Sequence, residues 1–433
     1  MPDQVAETSE EQKAPGSLWQ NAKFQLAMLV VLYLVLRLPW VFTLPVTEAP
    51  DESNHYWVCE FLTTHLRLPS GQEVLSAGGP AEYGSLPQFG YLPNSLLCLF
   101  GNADARPLLA RLGSVVAGLP TLFAAYFIGK EIFPLSRFKI LAMPLLIVLH
   151  PQLIFTQSYT NTDATTVSLA SVSICIIVRA IKHGLSINAS LLLGFLLGWM
   201  ALSKHTGLSI VPALGIGVLA ATLGRGEAVA TALKKIAAAG LVFCATCGWW
   251  FVRNYYEFNG DILGSRTMYE TWSKILPRKN GAIVHPWPEV HQFGWWRFVF
   301  FDFFGLFGYM NRYVYRPAYI VYFIYVIAAI AGWARCLFSP KSVGPKADRM
   351  IWLIFLLCPL LNLAAMITAT MLKVTGPHGR YLFPSIVAID ALIIAGLFRL
   401  GDKFGKWATI VLLALHLAVS LGSWAVYYGP LAR

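Results

Sequence analysis

Eleven stretches of this chain are apolar, and nearly all are as long as a membrane crossing. No other feature constrains the fold as strongly. About 30 Å of hydrocarbon takes about 20 helical residues, and backbone in lipid must satisfy its own polar groups, which selects helices over loops. The runs lie near 24–44, 107–129, 139–157, 164–182, 190–203, 207–223, 236–253, 317–337, 350–372, 381–399 and 407–428, with 190–203 the short one. Composition agrees: 56% of the 433 residues are hydrophobic and 13% charged, against about 45–50% and about 25% in soluble domains. A water-soluble enzyme, a disordered chain, a collagen and a disulfide scaffold are all excluded. The expected fold is an all-α polytopic membrane protein of about eleven transmembrane helices, one domain over 24–428 with no separate soluble domain. The polar, mostly acidic first 23 residues read as a cytoplasmic tail with no signal peptide.

The charge pattern orients these helices. With the N-terminus in the cytoplasm, the inside loops carry Lys130, Arg137 and Lys139, then Arg179 and Lys182, then Arg225, Lys234 and Lys235. Arg335, Lys341, Lys346 and Arg349 follow, and then Arg399, Lys403 and Lys406. Every inside loop is basic, as the positive-inside rule asks. The net charge of +11 is thereby explained without nucleic acid. Two long segments, about 45–106 and 254–316, fall on the exterior or periplasmic side of an inner or plasma membrane. Within them, 86–100 is broken by Pro87 and Pro93, and 295–310 is short, so both are expected to lie on the outer face. Cys244 and Cys247 form a C-x-x-C inside an apolar run and read as helix packing. The Asn188-Ala189-Ser190 sequon falls at the cytoplasmic boundary and reads as chance.

Chemistry is expected at that outer face. Asp51, Glu52 and His55 follow the first helix; neighbouring carboxylates diverge, so one can face a cavity while the other orients it or pairs with a cation. A solvated loop or a helix cap is the bland alternative. Asp163 is the only carboxylate between Glu131 and Glu227 and sits where two apolar helices meet, as a cap or as a site residue. Cations recur on the same face: Lys204 and His205, Arg253, Arg312 and Arg316, then Lys373, His378 and Arg380. Each could be a snorkelling anchor; several converging with carboxylates make a pocket for an anionic headgroup. His285, Glu289 and His291 have metal-like spacing, but the intervening prolines rule out a regular helix there. An ion-coupled secondary transporter, or a flippase of a lipid-linked or anionic substrate, uses intramembrane charges too; the clustering at one face rather than the midplane argues against it.

The order of local motifs resembles the lipid-carrier-dependent glycosyltransferases of the GT-C superfamily, which include the aminoarabinose-transferase-like and protein O-mannosyltransferase-like enzymes. The matching stretches are APDESNHYWVCEFL with a following LRLP, YGSLPQFGYLPNSLL, RLGSVVAGLPTLFAAYFIGKEIF, YTNTDATTVSLA, GFLLGWMALSKHTGL, GWWFVRNYYEFNGDILG and HGRYLFP. They span roughly residues 24–400. The resemblance implies a sugar donor on a polyprenyl phosphate, an inverting transfer, and an acceptor that is a glycan, a lipid or a protein. It implies Asp51 as general base with Glu52 beside it, Asp163 as the second acid, and Lys204 and Arg380 on the carrier phosphate. A divalent cation, Mg²⁺ or Mn²⁺, held by Asp51 and Asp163 is a further expectation. The chain departs from some relatives in showing no large soluble domain after its last helix, which leaves the acceptor open.

Overall fold

The computed structural model describes residues 21–46, 48–274, 278–280, 282–283, 287–338 and 346–429. The first helix, α1 (Ala22–Thr43), crosses the bundle and leads into a helical loop. That loop comprises α2 (Glu52–His65), α3 (Gly71–Ala77), the three-ten turns Gly79–Ser85 and Phe89–Tyr91, and α4 (Leu92–Cys98). A Ser70–Glu73 capping box starts α3, satisfying two of the N–H groups a helix start leaves free. The chain re-enters as α5 (Arg106–Ile132) and turns into α6 (Arg137–Leu149), α7 (Pro151–Thr156), α8 (Asp163–His183) and α9 (Ile187–Ala201). Next come the three-ten turn His205–Ile210, α10 (Val211–Leu223) and α11 (Val229–Glu257).

The second long loop holds α12 (Ser265–Ser273), α13 (Phe293–Phe304) and two minimal antiparallel ladders. One pairs β1 (Arg278–Lys279) with β2 (Ala282–Ile283); the other pairs β3 (Leu306–Phe307) with β4 (Arg312–Tyr313), in register Leu306↔Tyr313. The last four spans are α14 (Arg316–Phe338), α15 (Lys346–Met371), α16 (Ile386–Arg399) behind the three-ten turn Gly379–Ser385, and α17 (Asp402–Tyr427).

Among the described residues, nine helices are long and apolar enough to cross a membrane, two fewer than the apolar runs. The 139–157 run is broken because Pro151 has no N–H and cannot continue α6; His150 caps the new helix by accepting the Leu153 N–H at 3.3 Å. The break orphans the carbonyl of Ile147. Buried Arg37 on α1 fills the gap, donating to Ile147 O (3.4 Å), Val148 O (3.2 Å) and Gln157 Oε1 (2.9 Å). The second shortfall is α9, whose 15 residues reach about 22 Å at 1.5 Å per residue. The 86–100 and 295–310 segments hold only short elements, as expected of segments that do not span.

Small residues let the long helices touch. A Cβ on Gly332 of α14 would stand 1.8 Å from Gly396 O on α16, and one on Gly396 would stand 2.4 Å from Ala329 O, the close approach that small-residue interfaces permit. Cys247 of the C-x-x-C is buried in α11 and bonds Phe243 O one turn back, an ordinary helical contact. At the basic ends, Lys182 pairs with Asp348, Arg179 with Glu131 and Lys235 with Glu227. The other end of the bundle is built differently.

Candidate active site

The starts of α2 and α8 and the three-ten turns His205–Ile210 and Gly379–Ser385 meet at that other end. Asp51 precedes α2 in a left-handed backbone, φ 57°, a conformation that among L-residues Asp and Asn tolerate best. Its carboxylate accepts the Tyr83 hydroxyl at 3.1 Å, and its N–H donates to Tyr309 Oη at 3.3 Å. Glu52, the next residue, points the opposite way and is buried. It takes Arg111 of α5 in a two-pronged ion pair (Nε 2.7 Å, Nη2 2.6 Å) and the Thr160 N–H at 3.0 Å. The two neighbours therefore divide the work: Glu52 ties α2 to α5 and to the turn before α8, and Asp51 is left facing the polar cluster.

Asp163, in the first turn of α8, is buried and holds Lys204 Nζ at 2.5 Å. The Lys204 ammonium also lies 4.8 Å from the Tyr381 ring centre, a cation–π distance. Arg380 enters from the turn before α16, buried, with Nη1 donating to Tyr159 Oη at 2.7 Å and Nε unpartnered. The His55 ring stacks on Tyr83 at 4.5 Å and meets Tyr91 Oη at 2.5 Å. Burial, and then the charges of Lys204 and Arg380 opposed by Asp163, push His55 down to about 3, so it is neutral at physiological pH. His378 packs edge-on against Trp287 and Tyr381, and burial with the same two cations holds it well below the usual histidine range. Asp51, Asp163, His55, Lys204, His378 and Arg380 thus form one neighbourhood.

The remaining candidates lie elsewhere. His205 turns toward Trp250 and Phe251 of α11. Arg253 binds Pro69 O and Asn254 Oδ1, tying α11 to the first loop. Arg312 makes a two-pronged pair with Glu48, both bonds 2.9 Å, and covers Tyr427 and Tyr428. Arg316 opens α14 exposed. His285 lies outside the described residues, while Glu289 and His291 are exposed and 3.6 Å apart. Among the described residues no group of three or more His, Cys, Asp or Glu is placed to hold a metal ion. Asp163 already carries the Lys204 ammonium where the expected divalent cation would sit, so the pair with Asp51 is not a ready metal cradle.

Two acids join the neighbourhood without having been expected there. Asp302 of α13 is buried, accepts the Arg380 N–H at 3.0 Å and Gln152 Nε2 at 3.2 Å, and is pushed up by burial to about 6. Its sequence signal was a lone carboxylate in an aromatic run. Glu82 is buried, accepts Asn54 Nδ2 at 2.7 Å, and has its second oxygen unpartnered. Burial raises it to about 7, with Asn54 opposing and the Asp51 charge adding.

Beside this cluster runs an apolar groove of about 350 Å³, lined by Leu62, Leu66, Phe89, Leu92, Leu96 and Trp249 among others. Phe89 on its wall adjoins Gly90, whose carbonyl accepts the hydroxyl of Thr165, two residues beyond Asp163, at 2.8 Å.

The fold of this polytopic helical bundle is similar to that of solved proteins holding a dolichol- or undecaprenyl phosphate. Residues 86–250, less than half of the chain, match the family model described as dolichyl-phosphate-mannose-protein mannosyltransferase. Among solved structures, the chain is similar to the archaeal oligosaccharyltransferase AglB from Archaeoglobus fulgidus, in complex with an inhibitory peptide and a dolichol-phosphate. That match has a TM-score of 0.52 at 13% identity, over 92% of this chain and 55% of that one. It is likewise similar to ArnT from Cupriavidus metallidurans bound to undecaprenyl phosphate, with a TM-score of 0.52 at 14% identity, over 92% of this chain and 63% of that one. At these identities the likeness is one of fold, and the chain spans between half and two thirds of those structures' length. No curated protein sequence matches the chain.

Proposed function

We propose that the protein transfers a sugar from a polyprenyl-phosphate carrier to an acceptor at the outer face of the membrane, with inversion at the anomeric carbon. The observation that carries this reading is the meeting of Asp51, Asp163, Lys204 and Arg380, drawn from four remote stretches of chain, at one end of the bundle beside an apolar groove. The family match and the two carrier-bound relatives support the choice of donor.

In this reading the acceptor's oxygen or nitrogen attacks the anomeric carbon as the bond from that carbon to the phosphate oxygen breaks. Asp51 takes the acceptor's proton, a contribution of about 10²–10⁴-fold. The departing prenyl phosphate gains charge, and Lys204 and Arg380 stabilise it most where that charge is largest. Lys204 rests on Asp163 and Arg380 on the Tyr159 hydroxyl, and the unpartnered Arg380 Nε and the remaining Lys204 N–H groups turn to the phosphate. Asp163 then steers Lys204, and neutral His55 and His378 add hydrogen-bonding surface without a competing charge. The prenyl chain lies in the groove between α2, α4 and α11. Since phosphate is already a good leaving group, no general acid is required, and no step needs a metal ion.

The test is purified protein in lipid nanodiscs, supplied with prenyl-phosphate sugars bearing different head groups and assayed for released prenyl phosphate. Turnover that Asp51→Asn abolishes while the protein stays folded supports the reading, because Asn also tolerates the left-handed backbone at this position. Failure of every donor both to turn over and to bind refutes it. Profiling lipid-linked sugars with and without the gene identifies the head group, since the unused donor accumulates.

A further inference from the structure

Two thiols in the first long loop face each other and belong to nothing described so far. Cys59 lies in the middle of α2 and Cys98 ends α4. Their Sγ atoms are 3.8 Å apart across 39 residues of chain. Both are fully buried, with Ala110 of α5 packed on a third side. The local frame holds them in register: Cys59 O accepts both Thr63 Oγ1 at 2.8 Å and Ser95 Oγ at 3.2 Å. The other cysteines with described side chains offer no comparable pair. Cys175 and Cys358 are buried in separate spans, and Cys247 is buried in α11 beside an exposed Cys244.

From this geometry we infer that Cys59 and Cys98 form a disulfide in the mature protein, stapling α2 to α4. A disulfide needs its sulfurs at about 2.05 Å; closing the remaining gap takes side-chain rotation in a frame whose helices already touch. The inference rests on the outer-face reading of the 45–106 loop, since structural disulfides persist in oxidising compartments. Bond formation is an exchange with an oxidised, disulfide-carrying protein of that compartment. One of the two cysteines, as its thiolate, attacks one of that protein's sulfurs and releases one thiolate; the other, giving up its proton, then attacks the newly bonded cysteine Sγ and releases the second. Two electrons pass to the carrier, which leaves as a dithiol. Because the folded pair is sealed from solvent, the exchange precedes closure of α4 onto α5, and the finished bond is shielded from reductants.

The staple anchors the helix whose start carries Asp51 and Glu52. The test uses the full chain, taken from membranes, denatured and treated with a mass-tagging maleimide before and after reduction. Of the 7 cysteines, five tags are expected before reduction and seven after; Cys59→Ser and Cys98→Ser each take six tags in both conditions. Seven tags on unreduced wild type overturn the inference. A second arm separates this failure from a wrong orientation: Ser76→Cys, at an exposed position of α3, placed in a cysteine-free background. Labelling of intact cells by an impermeant maleimide puts the loop outside, so seven tags then refute the disulfide alone. Labelling only after permeabilisation overturns the orientation and, with it, the disulfide. Reductant, reaching the bond only as heating opens the loop, is expected to lower the melting midpoint of wild type and leave that of Cys59→Ser unmoved.

Discussion

Asp51 and Glu52 are adjacent in sequence, yet their removal should have opposite signatures. The Glu52 and Arg111 side chains are 2% and 6% exposed, so solvent screens their attraction little. Glu52→Gln replaces one carboxylate oxygen with an NH₂ group aimed at the guanidinium, and leaves the Arg111 charge facing only neutral acceptors, the remaining amide oxygen and the carbonyls of Val41 (3.1 Å) and Leu44 (2.5 Å). Removing one partner of a buried pair costs about 3–5 kcal/mol, and Arg111→Met should cost as much. Glu52→Gln combined with Arg111→Met removes both charges, keeps an amide oxygen for the Thr160 N–H, and leaves the Val41 and Leu44 carbonyls unpaired, a loss of about 1–3 kcal/mol each. The double variant should therefore lose less than the two single variants summed. Unfolding by SDS titration in detergent, read by tryptophan fluorescence, measures all four corners of the cycle. Asp51→Asn, measured alongside, should unfold with wild type while its transfer activity is lost. The reasoning fails if Glu52→Gln unfolds with wild type, if the double variant loses the sum of the single losses, or if Asp51→Asn is as unstable as Glu52→Gln.

Other consequences can be checked independently. Lys204→Ala and Arg380→Ala should weaken binding of prenyl phosphate in a direct titration, and unchanged binding in both removes them from the phosphate role. His55 stays neutral in the fold down to about pH 3 but takes up a proton near 6.5 when unfolded. The unfolded state therefore binds more protons between those values, and stability should fall as pH drops from about 6.5 toward 3; His55→Gln should flatten that slope in melting curves. Burial raises Glu82 to about 7, and its ionisation places a second negative charge beside Asp51, adding to the field that draws off the acceptor's proton. Activity should therefore rise with pH through that region, and Glu82→Gln should erase the inflection; a profile unchanged in the variant means the inflection has another origin.

Helix length and apolarity made the spans legible, because lipid offers the backbone few other solutions. The runs misjudge only what happens inside them. In 139–157 the break was written in His150-Pro151, yet its consequence, a buried Arg37 feeding orphaned carbonyls, depends on a helix more than a hundred residues away. The gathering of Asp51, His55, Asp163, Lys204, His378 and Arg380 could be anticipated because all sit at helix ends on one predicted face. The same signal also drew in His205, Arg253, Arg312 and Arg316, since an arginine that anchors a loop and one that faces a ligand look alike in sequence. Arg111 and Asp302 carried a readable mark, a lone charge in an apolar or aromatic stretch. Glu82 carried none: its environment comes from Asn54 and from burial that only the folded loops create.

The bare crossing of α14 and α16 makes α16 a lever. Gly396 is the fulcrum, and Arg380 sits just past the far tip, ten residues and about 15 Å of helix rise away at Ile386. A methyl group at residue 396 cannot fit against Ala329 O at 2.4 Å, so Gly396→Ala must tilt the helix. A tilt of about 5° displaces the tip by about 1.3 Å over that arm, and misplacements of about 1 Å cost about 10²-fold in rate. A substitution in the greasy middle of the bundle, touching neither sugar nor phosphate, should thus mimic an injury to the catalytic end.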